Sequence, residues 1–475
     1  MPSPWPTTPP SDAYRAAYAD AAVRPFWRDT VPDRELCPPL TERREAELCI
    51  VGGGFTGLWA ALYAKELDPG REVVVLEATR CGDGASSRNG GFLQASLTHG
   101  LGNGLARFPQ EMRELERLGE ESFQQLQADL ERYAIDAEFE HSGDLNVALE
   151  PHQLDELAEQ AAQAREHGHE IQLLDRDQVQ AQVHSPLYLG GLYARTGAAL
   201  VNPAKLIDGL RTAAIAEGVQ IHEFTPVRRL TGTGAGVRAI TPTGLLDARG
   251  LLIATSAYPP LLRRIGSHIA PVYDYALMTE PLSAPQMESI GWGNRVGIGD
   301  CANQFHYYRL SADDRILFGG YDAVYRYGGP VGPHLDEHDA TFAKLSQHFF
   351  TIFPQLEGVR FTHRWGGAID TCSRFSVFFG SAFGGRAVYA LGYTGLGVGA
   401  SRFGGRTALD LLDGRQTAAT DSTLVRTRPL PFPPEPLRFG VIQLTRNRLA
   451  AADRAQGRRG LWLRALDRAG LGFDS

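Results

Sequence analysis

The chain has 475 residues, of which 43% are hydrophobic and 21% are charged, a balance typical of a globular protein. This length exceeds one typical domain and predicts two domains that share an interface. The formal net charge of −8 gives no basis for binding nucleic acid, so we expect none. No apolar run approaches the roughly 20 residues that span a bilayer, so we expect no stable membrane insertion.

The cysteines and histidines argue against a disulfide framework and against a metal site. The five cysteines are scattered along the chain, and none forms a C-x-x-C pair. His167 and His169 lie two residues apart on a predicted helix, where their side chains diverge. The proline-rich N-terminus lacks the apolar region of a signal peptide. We therefore expect a reduced, cytoplasmic protein that binds no metal.

Residues 1–45 precede the first strong structural pattern and are predicted to form an extension. The opening segment, PSPWPTTPP, favours an extended or disordered chain because proline is frequent. The following residues, Ser11 to Ala22, favour a short helix.

The segment from Ala46 to Gly91 is the most informative about function. An apolar run leads into Gly52, Gly54 and Gly57, which are spaced as G-x-G-x-x-G, and a helix pattern follows. In this motif the first glycine permits a tight turn, the second lets the backbone approach a pyrophosphate, and the third lets helix pack on strand. The helix N-terminus adds N–H groups and partial positive charge that favour phosphates. The pattern predicts a dinucleotide site whose helix begins with Phe55 and Thr56.

An acidic residue follows the next predicted strand. The apolar run Val73 to Leu76 ends on Glu77, twenty residues after the third glycine. A carboxylate at this place can accept hydrogen bonds from both ribose hydroxyls. Because it would repel a 2′-phosphate, it argues against NADP.

The residues after Glu77 indicate which dinucleotide binds. The segment at 82–91, GDGASSRNGG, resembles the G-A-S-x-R-N-x-G loop of the D-amino-acid oxidase-like family of FAD enzymes, although Ser87 stands where many members have glycine. The resemblance implies FAD, with small residues and charged donors against the cofactor. Neither Cys301 nor Cys372 lies in a context that matches a covalent flavin linkage, so we expect non-covalent FAD. The cofactor residues implied in this region are Ala78, Gly84, Ala85, Ser86, Arg88, Asn89, Gly90 and Gly91.

Two later segments resemble FAD motifs of the same family. A predicted helix over 204–217, with Asn202 as its N-cap, precedes Val227, which matches a residue that contacts adenine through its backbone. A predicted strand then ends in Ala254 and Thr255, which match a turn near the pyrophosphate. The glycine-rich segment before the last apolar helix resembles the closing FAD motif, in which the helix N-terminus faces the flavin. This motif implies Gly392, Thr394, Gly395, Leu396 and Gly397 as cofactor residues.

These motifs together predict an α/β protein. A discontinuous, Rossmann-like FAD-binding domain is expected beside a substrate domain built on a mixed or antiparallel sheet. The arginine-rich tail is interpreted as a packed amphipathic helix, with a membrane-surface helix as the alternative. The predicted division of the chain is an extension at 1–45, an FAD-binding domain at 46–110, 190–260 and 360–420, a substrate domain at 111–189 and 261–359, and a mostly helical tail at 421–475.

The family resemblance also implies an activity. The lead of 45 residues before the glycine loop is most similar to the γ-glutamylputrescine oxidoreductase branch. The resemblance implies oxidation of a C–N bond in an amine or amino acid: a hydride passes to flavin and the imine hydrolyses, with oxygen as acceptor. A dehydrogenase that passes electrons to a carrier stays open as an alternative.

Two other functions compete with amine oxidation. A flavin monooxygenase is suggested by Gly299-Asp300, which matches a G-D motif of hydroxylases. A flavin-contacting helix should follow that motif, whereas the segment FHYYRL at 305–310 favours a strand. A purely structural FAD is disfavoured by the polar aromatic strands that are expected to cover the flavin.

The same strand supplies candidate substrate residues. Alternation places His306 and Tyr308 on one face and Tyr307 and Arg309 on the other. We hypothesise that Arg309 or Arg374 anchors an anionic substrate group, because a guanidinium holds a carboxylate or phosphonate bidentately. Tyrosines are expected to line the amine path. The candidate catalytic residues are Tyr275, His306, Tyr308, Arg309, Trp365 and Arg374.

Overall fold

A computed structural model describes residues 4–6 and 8–472 and shows a chain folded around two large β-sheets. The strands are β1 (Ala22–Val23), β2 (Arg43–Val51), β3 (Val73–Leu76), β4 (Phe92–Gln94), β5 (Asp144–Ala148), β6 (Ile171–Leu174), β7 (Gly190–Ala194), β8 (Ala198–Leu200), β9 (Gln220–His222), β10 (Arg229–Gly232), β11 (Val237–Ile240), β12 (Leu245–Ile253), β13 (Ala270–Thr279), β14 (Gly297–Asp300), β15 (His306–Leu310), β16 (Ile316–Gly320), β17 (Val324–Tyr325), β18 (Phe361–Thr371), β19 (Phe378–Ala382) and β20 (Ala387–Leu391). The α-helices are α1 (Asp12–Ala16), α2 (Phe55–Leu67), α3 (Leu101–Arg107), α4 (Met112–Arg132), α5 (Pro151–Glu166), α6 (Arg176–Gln180), α7 (Pro203–Ala216), α8 (Ala284–Ile290), α9 (Asp339–Ile352), α10 (Gly397–Leu412), α11 (Ala418–Asp421), α12 (Thr423–Arg426), α13 (Leu437–Arg454) and α14 (Leu461–Arg468).

The first sheet contains the glycine loop. Its eight strands run in the order β10-β11-β12-β2-β3-β9, with β20 beside β12 and β19 beside β20. The strands β12, β2, β3 and β9 are parallel, and α2 connects β2 to β3 as the motif predicts. All four residues of β3 are buried, as expected for a parallel strand covered on both faces. The helices α2, α7 and α10 share one apolar core with this sheet.

The second sheet is mixed, and the predicted α/β architecture is confirmed. Its ten strands run in the order β1-β18-β13-β16-β15-β14-β5-β7-β6, with β17 also paired to β13. Neighbours around β13, β15 and β16 are antiparallel, whereas β14 runs parallel to β5. Helix α9 packs on one face of this sheet, and the other face is turned toward the first sheet and its cofactor loops.

Two strands differ from the predicted division of the chain. The structure places β7 between β5 and β6, and β18 between β1 and β13, so both belong to the second sheet rather than to the FAD domain. The pattern of a strand reports that it is half-buried or buried but not which partner it pairs with. After β12 the chain therefore returns to the first sheet only at β19.

The N-terminal extension and the tail are packed on the body of the protein. Strand β1 pairs with β18, and Trp27, in a 3₁₀ turn over Phe26–Thr30, is fully buried. Of the proline-rich opening, residues 2, 3 and 7 lie outside the described residues, as do residues 473–475 of the tail. Helices α13 and α14 account for most of the tail that is described, and none of the helices over 4–6 and 8–472 is long and apolar enough to cross a membrane.

Candidate functional site

Two of the three glycines in the loop, Gly52 and Gly57, are required by close backbone contacts, whereas Gly54 has space around it. Gly52 has φ of 113°, and a Cβ there would lie 2.4 Å from the carbonyl oxygen of Ala254. A Cβ on Gly57 would lie 1.9 Å from the carbonyl oxygen of Gly52. A Cβ on Gly54 would meet Ser86 Oγ at 2.9 Å and no other heavy atom of the described residues within 4 Å. Gly54 is also the N-cap of α2 and supplies no capping side chain, so the helix N-terminus is open to an anion.

Glu77 is fixed beside this loop at the carboxyl end of β3. Its carboxylate accepts hydrogen bonds from the Gly53 amide at 2.7 Å and from the Thr79 amide at 2.9 Å. Burial raises the pKa of Glu77, although these hydrogen bonds oppose the shift. Two held carboxylate oxygens with lone pairs to spare suit the ribose diol of a dinucleotide.

The loop at 82–91 is tied both to the glycine loop and to the second sheet. Ser86 Oγ accepts a hydrogen bond from the Phe55 amide at 3.0 Å. The Arg88 guanidinium donates to Asp336 Oδ2 at 2.6 Å and to the Gly366 carbonyl at 3.0 Å. Arg88 therefore connects the cofactor loop, which lies beside the first sheet, to the second sheet through its hydrogen bonds.

Two tryptophans hold the same loop from the outside. Trp27 Nε1 donates to the carbonyl of Asn89 at 2.9 Å, and Trp365 Nε1 donates to the carbonyl of Arg88 at 2.8 Å. Trp365 is one of the predicted catalytic residues, and its indole nitrogen is already bound to the cofactor loop. Its position indicates that it shapes this loop.

The closing motif provides a second open helix N-terminus. Asp370 Oδ2 accepts a hydrogen bond from the Gly392 amide at 2.7 Å, and burial raises the pKa of Asp370 to about 6. Gly395 has φ of 97°, and a Cβ there would meet no described heavy atom within 4 Å. Helix α10 begins at Gly397, and its N-cap residue, Leu396, makes no capping hydrogen bond from its side chain within the described structure.

The remaining predicted cofactor residues gather at the carboxyl ends of β2, β3 and β12. Parallel pairing aligns Val51 with Leu76 on one side and with Ile253 on the other, so the residues that follow these strands meet at one edge. Gly90 and Gly91 are buried beneath this edge. The partly or fully exposed predicted positions are Ala78, Gly84, Ala85, Ser86, Asn89, Val227, Ala254 and Thr255.

Tyr258 is a residue at this edge that the motifs did not indicate. Its side chain is 44% exposed, and its ring lies 3.2 Å from the position of a Cβ on Gly84. The signal in the sequence is its place three residues after Thr255, at the start of the loop that leaves the first sheet. Tyr258 is therefore positioned to cover a cofactor that lies along Gly84.

Strand register decides which side chains of the second sheet face the cofactor loops. Tyr307 pairs with Gly319, Gly319 with Ala276, and Ala276 with Trp365, so these four residues share one face. The Tyr307 ring lies 2.8 Å from the position of a Cβ on Gly90. The face that carries Tyr307 is thus the one turned toward the loop at 82–91.

Three predicted catalytic residues lie on the opposite face, which is a correction to the sequence-based hypothesis. Tyr308 is fully buried in the core that includes α9. His306 Nδ1 lies 2.7 Å from Asp300 Oδ2 in the same layer. Tyr275 Oη donates to the carbonyl of Leu335 at 2.9 Å. Alternation correctly separates the two sets of side chains, but α9 covers the set that contains these three.

The two arginines predicted as substrate anchors are bound to the protein backbone. The Arg309 guanidinium donates to the carbonyl of Val201 at 2.7 Å, and burial lowers the pKa of Arg309 to about 10. The Arg374 guanidinium donates to the carbonyl of Leu424 at 2.8 Å and is likewise buried. Neither guanidinium is placed to hold a substrate anion, because each is buried and donates to interior carbonyls.

The loop-facing side of the second sheet instead carries a carboxylate and a phenol. Tyr307 Oη donates to Asp274 Oδ2 at 2.6 Å, and the Tyr275 amide donates to Asp274 Oδ1 at 2.8 Å. Burial raises the pKa of Asp274 to about 6, while the hydrogen bond from Tyr307 lowers it. A carboxylate inside an otherwise apolar aromatic strand is the sequence signal that could have indicated this pair.

A second carboxylate lies on the same face of the sheet. Asp144 accepts hydrogen bonds from Gln94 Nε2 at 3.3 Å and from Asn146 Nδ2 at 3.4 Å, and burial raises its pKa to about 6. Within the described residues, neither Asp144 nor Asp274 has an arginine, lysine or histidine as ion-pair partner. The two carboxylates of this face are therefore not neutralised by an ion pair, and Arg309 on the same face donates to backbone carbonyls instead.

The residues present fit FAD. Helices α2 and α10 each have an N-terminus without a capping side chain of its own N-cap residue, a Cβ would meet only Ser86 Oγ at Gly54 and no described atom at Gly395, and Glu77 lies beside the glycine loop. Bound FAD supplies redox chemistry at its flavin ring that the side chains themselves lack. No cluster of three or more His, Cys, Asp and Glu side chains suited to a metal occurs in the part of the chain that the structure describes.

The parallel sheet, the glycine loop and Glu77 together indicate a flavoprotein oxidoreductase. Residues 47–411 match the family described as FAD dependent oxidoreductase, and the chain belongs to this family. The protein is therefore an FAD-dependent oxidoreductase, and the resemblance inferred from its FAD motifs is confirmed.

Individual relatives agree with this assignment. The chain is 32% identical over 386 residues to gamma-glutamylputrescine oxidoreductase of Escherichia coli, covering 79% of this chain and 85% of the relative. It is 30% identical over 400 residues to the probable oxidoreductase OrdL of Haemophilus influenzae, covering 82% and 88%. The crystal structure of glycine oxidase from Geobacillus kaustophilus matches with a TM-score of 0.66 at 20% identity, covering 79% of this chain and 96% of that chain, which shows a shared fold.

Proposed function

We propose that this enzyme oxidises the C–N bond of an amine whose reacting carbon bears no free carboxylate. The imine product then hydrolyses to a carbonyl compound and either ammonia or an amine, and oxygen accepts the two electrons and becomes hydrogen peroxide. The observation that carries the proposal is that Asp274 and Asp144 lie on the sheet face beside the cofactor loops without an ion-pair partner, while Arg309 on the same face is buried and donates to the Val201 carbonyl. A cationic amine is attracted to that face, whereas a carboxylate would be repelled there.

The chain's own groups have defined tasks in this reaction. A hydride leaves carbon only when the neighbouring nitrogen is neutral and can donate its lone pair. Asp274 is ionised at neutral pH because its pKa is about 6, so it can hold the entering ammonium and accept a proton from it. Tyr307 Oη orients that carboxylate through its 2.6 Å hydrogen bond. Bound FAD would supply the hydride acceptor that these side chains lack.

The relatives support an amine substrate. The protein from Escherichia coli takes its name from gamma-glutamylputrescine, and the identity of 32% extends over most of both chains. Arg309 and Arg374 are buried and donate to the carbonyls of Val201 and Leu424, so neither is free to hold an amino-acid carboxylate. Both observations favour an amine over an α-amino acid.

The helix expected after the G-D motif of a monooxygenase does not follow Gly299 and Asp300. Gly299 and Asp300 end β14, and the chain continues into the strand β15 and not into a helix. Asp300 accepts hydrogen bonds from the Ala302 amide at 3.1 Å and from the His306 amide at 3.1 Å. These residues form a turn inside the second sheet.

Anaerobic flavin reduction tests the proposal. The FAD-loaded enzyme is mixed with N-acylated diamines, simple diamines, D-amino acids, N-methyl amino acids and aminophosphonates, and flavin absorbance is followed. Amines without an adjacent carboxylate are expected to bleach the flavin, and Asp274→Asn is expected to bleach it more slowly, whereas Asp155→Asn on the exposed face of α5 serves as the matched control. Bleaching by α-amino acids alone, or only in the presence of NADPH, would overturn the proposal.

Aerobic turnover separates the two electron acceptors. If oxygen is the acceptor, amine oxidation consumes oxygen and releases hydrogen peroxide in equal amounts. Reduced flavin that persists in air, but is reoxidised by an artificial carrier, would identify a dehydrogenase.

A further inference from the structure

The C-terminal helices carry a charge opposite to that of the rest of the chain. Residues 437–468 contain eight arginines and two aspartates, with no lysine or glutamate, whereas the whole chain has a net charge of −8. A general preference for arginine over lysine does not concentrate positive charge in one segment. The segment therefore forms a basic patch, made of α13, α14 and their connection, on an acidic protein.

Both acidic residues of the basic patch already have partners within the protein. Asp453 accepts hydrogen bonds from the Asn303 amide at 2.9 Å and from the Gln304 amide at 3.1 Å. Asp467 pairs with Arg459 at 2.7 Å. The exposed arginines without an ion-pair partner among the described residues are Arg448, Arg454, Arg458, Arg464 and Arg468.

Apolar side chains stand among these arginines on the outer surface. Leu437 is 65% exposed and Leu444 37% exposed, and their spacing with Arg448 places all three on one stripe of α13. Leu461, at the start of α14, is 81% exposed and shares a face with Arg464 and Arg468 at the spacing of three and four. A leucine this exposed gains nothing from the fold of the chain itself.

The two helices are tied to each other. Trp462 Nε1 donates to Thr445 Oγ1 at 3.1 Å, which fixes the start of α14 against the middle of α13. Leu463, on the inner side of α14, is buried. The helices thus present one outer surface of leucines and arginines while their inner sides pack on the protein.

We propose that this basic patch docks the enzyme peripherally on an anionic lipid bilayer. Arginines on the polar part of a helix and leucines on the same outer surface are the combination that binds at a headgroup boundary. The leucines favour a bilayer over nucleic acid, because nucleic acid binds arginine through its phosphates but gains little from an exposed leucine. The proposal is independent of the substrate of the enzyme.

Vesicle sedimentation of the FAD-loaded enzyme tests the proposal. Vesicles made of equal parts phosphatidylglycerol and phosphatidylcholine are expected to pellet the enzyme, whereas pure phosphatidylcholine vesicles are not. Sodium chloride at about 0.5 M is expected to release it, because screening at this ionic strength shortens the reach of the charges to a few ångströms. Each arginine near the surface contributes roughly fivefold, so Arg464→Gln combined with Arg468→Gln is expected to weaken partition about 25-fold.

Matched variants keep the test specific. Leu461→Ser is expected to weaken partition about tenfold by removing one inserted side chain, since a buried leucine is worth on the order of tenfold or more. Two control variants are expected to change partition less than about twofold. The first is Ile215→Ser, because Ile215 is 42% exposed on α7, and the second combines Arg195→Gln with Arg229→Gln on other surfaces. Flavin absorbance of each variant confirms that it is folded.

Four outcomes would overturn the proposal. The enzyme could bind both vesicle types equally, or the variants of the patch could bind as the parent does. A DNA duplex could bind as tightly as anionic vesicles with no effect of Leu461→Ser, which would identify a general polyanion surface. A lipid-free dimer that Leu461→Ser dissociates, with no parent protein on vesicles, would identify a second copy as the occupant.

Discussion

Replacement of Gly54 by valine is expected to remove FAD from the enzyme while leaving the protein folded. A Cβ at this position meets Ser86 Oγ at 2.9 Å and no other described heavy atom within 4 Å. The backbone of Gly54 has φ of −87° and ψ of −174°, an extended conformation that any residue adopts. The new side chain therefore enters the space that the fold leaves at the N-terminus of α2.

The expected effects on the fold and on the cofactor differ in size. Displacing Ser86 Oγ weakens the hydrogen bond from the Phe55 amide, which is worth about 0.5–1.5 kcal/mol. Replacing glycine at a permitted backbone conformation returns about 0.4–1 kcal/mol, so the free energy of unfolding of the apo-protein changes by less than about 1 kcal/mol. Losing one charged hydrogen bond to a pyrophosphate oxygen costs about 1.5–3 kcal/mol, which weakens FAD binding roughly 10- to 150-fold.

Titration of the apo-protein with FAD, followed by flavin fluorescence, measures the loss of FAD affinity, and thermal unfolding of the apo-protein measures the change in stability. Gly57→Ala is the contrasting variant, because its Cβ would lie 1.9 Å from a backbone oxygen and must displace α2. It is expected to destabilise the apo-protein by about 1–3 kcal/mol. The reasoning is refuted if Gly54→Val purifies with a full complement of flavin, or if its apo-protein is destabilised as much as that of Gly57→Ala.

Three further predictions concern the cofactor linkage, the pH dependence and the interior arginines. Acid precipitation is expected to leave a colourless pellet, because burial raises the pKa of the Cys301 and Cys372 thiols and neither offers a thiolate for covalent attachment; a yellow pellet would contradict this. The kcat/KM for amines is expected to rise with pH through about 6, because Asp274 must be ionised and burial raises its pKa to about 6. The Asp274→Asn variant should lose this pH dependence and have a kcat/KM roughly 10- to 100-fold lower. Arg309→Met and Arg374→Met are expected to lower the unfolding temperature without a selective rise in KM, because each leaves buried carbonyls unpaired at about 1–3 kcal/mol per group; stable variants with a KM raised a hundredfold would restore the anchor hypothesis.

Elements that depend on neighbouring residues could be predicted closely. The strand over Val73–Leu76 has the predicted bounds, and α2 begins at Phe55, as predicted. Asn202 caps α7 as expected, since its Oδ1 accepts hydrogen bonds from the Ala204 and Lys205 amides at 3.1 and 3.2 Å. Such features require only a few consecutive residues, so the local pattern contains the necessary information.

The substrate face could not be predicted in the same way. Alternation divides Tyr307 from His306 and Tyr308, but the face that meets the cofactor depends on where α9 packs, and α9 begins more than 30 residues later. The role of Arg309 depends on the carbonyl of Val201, which is 108 residues away in the chain. A guanidinium that binds substrate and one that binds interior carbonyls have the same sequence signature, because the difference lies in tertiary distance alone.

The late position of β20 in the chain has a consequence for biosynthesis. Leu251–Ile253 of β12 pair in parallel with Ala387–Tyr389 of β20. A ribosome must add about 130 residues between these segments, which takes roughly 7–27 s at 5–20 residues per second. Throughout this interval the apolar end of β12 has an unpaired edge, which is a template for pairing with another nascent chain. We therefore expect the yield of active enzyme to depend on chaperone supply and translation speed as well as on the stability of the finished fold.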